Sequence, residues 1–240
     1  IDEKKGGGFV ELSELLMARE RRVLRQQEVL RKYGCPIVSF TMNIAGPVKR
    51  SPLIEDGFFM GCRLLDGQLL RAKASVLHKE VITEDTGCEA LYAVQLDASA
   101  LKILTTELED HTPAGRLFDM DVIGPDGKKQ DRANERCCLI CGKPGAGCAR
   151  SRAHTVEELQ AKTAELLEQA VSKYYAETAA HLACRALLYE VAVTPKPGLV
   201  DRANSGSHRD MDIFTFFRSI AALGPYFQNC AATGVQTAQL

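Results

Sequence analysis

The sequence predicts a mixed α/β domain of the α+β kind followed by an all-α segment. Two observations carry this. Through about residue 135, helical and strand periodicities alternate, whereas from Thr155 onward Ala, Leu, Glu and Gln dominate at helical spacing. Between the two parts, Cys137, Cys138, Cys141 and Cys148 crowd into one short segment.

Each element has a local cause. After Gly6-Gly7-Gly8, the apolar residues Leu12, Leu15, Leu16, Val23 and Leu30 recur at roughly helical spacing among charges, and Gly34 stands where a helix C-cap belongs. In residues 37–44, Val38, Phe40, Met42 and Ile44 alternate with polar neighbours, the period of a half-buried strand. A helix is expected over residues 53–65, and strands over 74–83 and 90–96 around a Glu84-Asp85-Thr86-Gly87 turn. Asp97 can cap a helix running through Glu109, because its carboxylate accepts from free amides of the first turn. A strand over 117–123 ends in the turn Gly124-Pro125-Asp126-Gly127. Thr155-Val156-Glu157-Glu158 is a capping box opening a helix through Ala170. A second helical run over 174–193 is stopped by Thr194-Pro195-Lys196-Pro197-Gly198, and a loop through Asp210 leads to an apolar helix over 213–223. A boundary near residue 170 divides the chain into domains 1–170 and 171–240.

The 240 residues, 45% hydrophobic and 25% charged, exclude disorder and fibre. No run approaches the roughly eighteen apolar residues of a membrane helix, and the amino terminus has no leader pattern, so neither membrane span nor export is expected. Thirty Lys plus Arg against thirty-one Asp plus Glu leave no global field for nucleic acid. Nine cysteines, an odd number, point to thiol or metal chemistry in a reducing cytoplasm. The start at Ile1 and the apolar stop at Leu240 read as a fragment at both ends.

Four constellations can carry chemistry. In Leu117-Phe118-Asp119-Met120-Asp121-Val122-Ile123, the two-residue period sets Asp119 and Asp121 on one face, roughly 6 to 7 Å apart at Cα, within reach of one Mg²⁺. The alternative is a solvated strand face. Gly46-Pro47-Val48-Lys49-Arg50-Ser51 offers two cations and free amides to a pyrophosphate, or else is a basic surface turn. Cys138, Cys141, Cys148 and His154 have the number and softness for tetrahedral Zn²⁺. Ordinary buried thiols are the competing reading, as is a phosphate site, given the interleaved Arg136, Lys143, Arg150 and Arg152. Finally, residues 195–212 pack Lys196, Asp201, Asn204, His208 and Asp210 into a loop denser in functional groups than a connector requires, although Asp212 has a simpler role as an N-cap.

These strings resemble a known family. Val38-Ser39-Phe40-Thr41 with Gly46-Pro47-Val48-Lys49, Gly115-Arg116-Leu117-Phe118-Asp119-Met120-Asp121-Val122, and Arg136-Cys137-Cys138-Leu139-Ile140-Cys141 leading to Cys148-Ala149-Arg150 and His154 are similar, in order, to the holo-acyl-carrier-protein synthase of citrate lyase over residues 9–170. Pro195-Lys196-Pro197-Gly198-Leu199-Val200-Asp201-Arg202 with His208-Arg209-Asp210-Met211 resembles the start of triphosphoribosyl-dephospho-CoA synthase. The two together look like the bifunctional fusion of this pair.

The resemblance implies that the first domain moves a phosphoribosyl-dephospho-CoA group from its triphosphate to a Ser of the citrate lyase acyl carrier protein, the γ subunit, releasing pyrophosphate. It implies Mg²⁺ at Asp119 and Asp121, with phosphates at Lys49, Arg50 and Arg116 and further contacts at Arg136 and Arg150. The acid-apolar-acid string is also similar to the metal strand of nucleotidyltransferases, in which a third carboxylate is expected but not identifiable here. The second domain would make the triphosphate from ATP and dephospho-CoA, expelling adenine. There Lys196, Asn204 and His208 would hold substrate, and Asp201 or Asp210 would face an oxocarbenium-like centre. That synthase family is longer than the seventy residues present, so the segment is expected to be truncated and inactive, with an exposed apolar face on 213–223. The contrasting expectation is a zinc-stabilised adaptor that docks the carrier protein without catalysis.

Overall fold

A computed structural model describes the backbone of residues 8–193 and side chains as far as residue 180. Its centre is a four-stranded antiparallel sheet, in the order β2-β3-β1-β4. The strands are β1 (Ile37–Met42), β2 (Ser75–Glu84), β3 (Gly87–Gln95) and β4 (Phe118–Ile123). Strands β2 and β3 form a hairpin across the expected turn, and β1 lies between β3 and β4. Helices α1 (Leu12–Tyr33), α2 (Pro52–Arg71), α3 (Ala98–His111), α4 (Gly145–Ser151) and α5 (Val156–Val193) surround it. The antiparallel pairing makes this an α+β arrangement.

Across β1, β3 and β4 one sheet face is apolar, as the strand alternation predicts, while β2 sets Lys79 opposite Tyr92 on it. Val38 and Phe40 of β1, Ala90, Tyr92 and Val94 of β3, and Phe118, Met120 and Val122 of β4 pack against Phe58 and Leu65 of α2, Leu101 and Leu108 of α3, and Leu167 and Ala170 of α5. Phe40 stacks on Phe58 at 4.9 Å between ring centroids and meets Phe118 edge-on at 5.3 Å. Helix α2 can lie this close because Gly61 has no side chain. A Cβ there would stand 2.6 Å from the Phe40 ring. Its N-cap Ser51 accepts from the amide of Ile54, and Pro52 occupies the first turn, where a missing N–H costs nothing. The helix runs six residues beyond the expected end at residue 65, carrying Leu69 into the core.

The other sheet face is divided. Ile37, Leu91 and Ala93 form a small second core with Val29 and Cys35, whereas Ser39, Thr41, Glu89, Asp119 and Asp121 make the remainder polar. Helix α1 lies over this face, and the apolar stripe holds only in part: Leu15 and Leu30 are half-buried, Leu30 against the small second core. Leu12, Leu16 and Val23 are 70%, 49% and 48% exposed, while the residues α1 buries are Ala18 and Val29. The cause is the sheet beneath: its polar half draws Arg22, Arg25 and Gln26 inward to Glu89 and Ser39. The C-cap holds, with Gly34 left-handed at φ 62° and its amide bonded to Leu30 O.

The capping box at Thr155 is present in both halves: Thr155 N–H donates to Glu158 Oε2 at 2.8 Å and Glu158 N–H to Thr155 Oγ1 at 3.2 Å. From there α5 is continuous, so the runs expected before 170 and over 174–193 are one helix with residue 170 inside it. The stop at Pro195, the loop through Asp210 and the helix expected over 213–223 lie outside the described residues. Among those described, no helix is long and apolar enough to cross a membrane.

Candidate active site

Strand β4 builds the site from its edge. Most of its outward backbone groups are taken by side chains: Lys102 Nζ donates to Met120 O at 3.1 Å, Met120 N–H to Glu109 Oε1 at 2.7 Å, and Arg136 Nη2 to Phe118 O at 2.7 Å, while at its end Gln130 N–H donates to Val122 O at 2.8 Å. Glu109 is 3% exposed and is ion-paired by Arg132 at 2.7 Å and by Arg136. Burial pulls the Lys102 ammonium below its ordinary pKa, against the attraction of Glu109.

With the edge sealed and Phe118, Met120 and Val122 in the core, the strand pleat turns Asp119 and Asp121 to the opposite face, both partly open to solvent. Arg136 Nη1 stands 3.7 Å from Asp119, and Lys129 Nζ 2.6 Å from Asp121. Desolvation raises the pKa of the Asp119 carboxyl above its usual range, and the neighbouring charge of Asp121 adds to this; Arg136 and Lys129 pull the other way.

Register extends the acidic face across the sheet. Thr41 of β1 is opposite both Asp119 and Glu89, so a carboxylate, a hydroxyl and a second carboxylate form one row. Glu89 is buried and takes Arg22 at 2.6 Å and Arg25 at 2.5 Å. Above this row opens a cleft of about 180 Å³, lined by Arg19 and Arg22 of α1, by Thr41, Asn43 and Lys49, and by Glu89 and Asp119. The Nε of Arg22 is buried without a hydrogen-bond partner. Lys49 donates through Nζ to Ile44 O at 2.5 Å; burial and the charge of Arg19 lower its pKa. Two cations repelling each other beside a carboxylate are an arrangement that an anion can relieve.

The residues singled out by sequence are thus sorted by position. Asp119 and Lys49 share the cleft, with Asp121 beside Asp119 on β4 and Arg136 reaching Asp119 from below. Arg50 is not a lining residue: it is turned to Glu55 at 2.5 Å and Asp85 at 3.8 Å. Arg116 donates through Nε to the carbonyl of Cys137, and Arg150 stands exposed on α4. Lys196, Asp201, Asn204, His208 and Asp210 lie outside the described residues. Arg19, Arg22, Thr41 and Glu89 were not anticipated. Arg19, Arg22 and Arg25 do recur every third residue, a basic stripe on one helix face, and that spacing is the signal that was available.

The cysteines gather separately. One donor atom from each of Cys138, Cys141, Cys148 and His154 lies within 4.8 Å of every other, and the Cys141 and Cys148 sulfurs are 3.5 Å apart. A hydrogen bond from the Lys143 backbone, helped by His154 and Cys148, brings the Cys141 thiol down to about 6, while sharing a proton with Cys141 pushes Cys148 up to about 11. Three sulfurs and an imidazole so placed suit Zn²⁺.

Comparison with known proteins gives two family matches, one to a long stretch of the chain and one to a short stretch after it. Residues 10–170 match the family model of apo-citrate lyase phosphoribosyl-dephospho-CoA transferase, and residues 176–239 that of ATP:dephospho-CoA triphosphoribosyl transferase. Protein CitXG of Haemophilus influenzae is 34% identical over 98% of this chain and 50% of its own length, and Protein CitXG of Leuconostoc mesenteroides is 27% identical over 98% and 53%. The chain therefore spans about half the length of those two relatives. Apo-citrate lyase phosphoribosyl-dephospho-CoA transferase of Citrobacter koseri is 35% identical over 69% of this chain and 92% of its own. The chain belongs to the apo-citrate lyase phosphoribosyl-dephospho-CoA transferase family, fused to a segment of the ATP:dephospho-CoA triphosphoribosyl transferase family.

Proposed function

We propose that residues 10–170 transfer the phosphoribosyl-dephospho-CoA group from its triphosphate precursor to a serine of the citrate lyase acyl carrier protein, the γ subunit, with release of pyrophosphate. The serine Oγ attacks the α-phosphorus and yields its proton to solvent, the bond from that phosphorus to the bridging oxygen breaks, pyrophosphate leaves, and a phosphodiester forms. The observation that carries this reading is the cleft in which Asp119 faces Lys49, Arg19 and Arg22. Lys49 and Arg19 receive the departing pyrophosphate, whose charge grows as the bond breaks. Arg22, fixed by Glu89, adds its positive charge to the same side of the cleft. Arg136 orients Asp119.

Asp119 and Asp121 present hard carboxylate oxygens from one strand face, a donor set that fits Mg²⁺. When bound, that ion would neutralise phosphate oxygens during in-line displacement. The strand is nucleotidyltransferase-like in this respect; Glu89 lies in the same row two strands away, beyond Thr41, and is held by Arg22 and Arg25. Zn²⁺ is the cation we assign to the cysteine cluster. For residues 176–239 the proposed role is that of the matching family: joining ATP and dephospho-CoA with loss of adenine, with Lys196, Asn204 and His208 at the substrates and Asp201 or Asp210 at the ribosyl centre.

Intact-mass measurement on apo carrier protein incubated with the chain, the triphosphate and Mg²⁺ tests the transfer. One prosthetic group should be added, and Asp119→Asn should slow its addition at least about a hundredfold, or roughly 2.7 kcal/mol of barrier. A carrier protein that gains no mass would leave only docking, the adaptor role.

A further inference from the structure

The cysteine cluster and the acidic strand are tied through one arginine. We propose that Zn²⁺ held by Cys138, Cys141, Cys148 and His154 fixes the knuckle that positions Arg136 against Asp119, so that metal loading organises the transfer site. The functional consequence rests on the transferase reading; the geometry does not.

Three observations favour a metal in the knuckle. Zinc–sulfur bonds of about 2.3 Å at tetrahedral angles put sulfurs ~3.8 Å apart, and the four donors here already lie within 4.8 Å of one another. His154 Nε2 is buried without a hydrogen-bond partner, and the amide of Ile140 donates to the Cys138 sulfur at 3.4 Å, fixing its direction. Finally, no residue from 137 to 155 is buried, and α4 buries none of its own. A segment with so little apolar burial needs cross-links, and metal–thiolate bonds provide them.

The link to the strand is short. Gly145 N–H donates to Arg136 O at 2.8 Å, Cys138 N–H to Lys143 O at 2.6 Å, and Cys137 pairs with Pro144 in a β-bridge, so the turn carrying the ligands grips the backbone of Arg136. Arg116, just before β4, holds Cys137 O from the other side. The Arg136 side chain then reaches Phe118 O, Glu109 and Asp119. A Cβ on Gly145 would lie 2.8 Å from Arg136 O, so Gly145→Ala wedges the knuckle off the arginine while keeping all four ligands.

Zinc content of the full chain and the side-chain Nε–H signal of Arg136, assigned in ¹⁵N spectra with Arg136→Lys, form the test. One zinc per chain is expected, with the Arg136 signal moving on chelation while that of Arg22, on α1, stays. Gly145→Ala should keep the zinc, move the Arg136 signal, and lower kcat/KM for transfer roughly ten- to a hundredfold. If chelation unfolds the chain and erases every signal, Gly145→Ala decides alone. Failure to hold zinc even when it is supplied overturns the proposal, as does an Arg136 signal unmoved by Gly145→Ala. Zinc and Arg136 behaving as expected in a chain without transfer would count against the transferase reading alone.

Discussion

Asp119 carries its charge in a place that resists it. Burial and the charge of Asp121 hold its folded pKa above the unfolded value, so between the two values the folded state binds more protons than the unfolded one. Stability attributable to this group is therefore full at low pH and falls as pH rises through that window. Its side chain is still about half open to solvent, which screens the effect. Without Mg²⁺, Asp119→Asn should melt at or above the temperature of the unsubstituted chain at neutral pH, with the difference vanishing at acidic pH. Calorimetry at both pH values checks this. A variant that melts lower at neutral pH would mean that the charge is needed for folding. That Asp119 and Asp121 share a face was legible from alternation alone, because a strand admits only two faces. Glu89 was not, since its place beside Asp119 depends on two strand registers across Thr41.

At the scale of elements, β4 owes its position to side chains from α3 and from the chain beyond it. Glu109 accepts the Met120 amide and anchors both Arg132 and Arg136. Glu109→Ala would leave two partly buried guanidinium groups short of a partner and an amide of β4 unsatisfied, at a cost of about 3–5 kcal/mol. Urea titration should show that loss; a change under about 1 kcal/mol would mean that the edge is sealed some other way. The strands, the hairpin turn and the Asp97 cap, which accepts from Ser99 and Ala100 amides, follow from local chemistry and were readable without a fold. The inward face of α1 was readable only in part. Leu15 and Leu30 turn inward with the stripe, yet Glu89 and Ser39 also pull Arg22, Arg25 and Gln26 inward, a tertiary demand that leaves Leu12, Leu16 and Val23 exposed.

For the whole molecule, α5 completes the core of the sheet domain. Leu167, Ala170 and Val171 stand in the main core, and Gln160 reaches the carbonyl of Ala45 at 3.4 Å in the loop before Lys49. Helix α5 runs unbroken through residue 170, where composition shows no linker. A chain ending after residue 180 should fold cooperatively and keep the transfer activity, whereas one ending after residue 155 should lose its cooperative melt, because three core side chains go with it. A stable, active shorter form would remove α5 from the first domain.

The central claim is that the cleft over β4 takes a metal and the departing pyrophosphate together. Anomalous scattering from crystals soaked with Mn²⁺ and pyrophosphate tests it most directly. The ion should lie between the Asp119 and Asp121 carboxylates, with pyrophosphate against Lys49 and Arg19. Manganese found elsewhere, or pyrophosphate seated on Arg50 or Arg150 with the cleft empty, would contradict it.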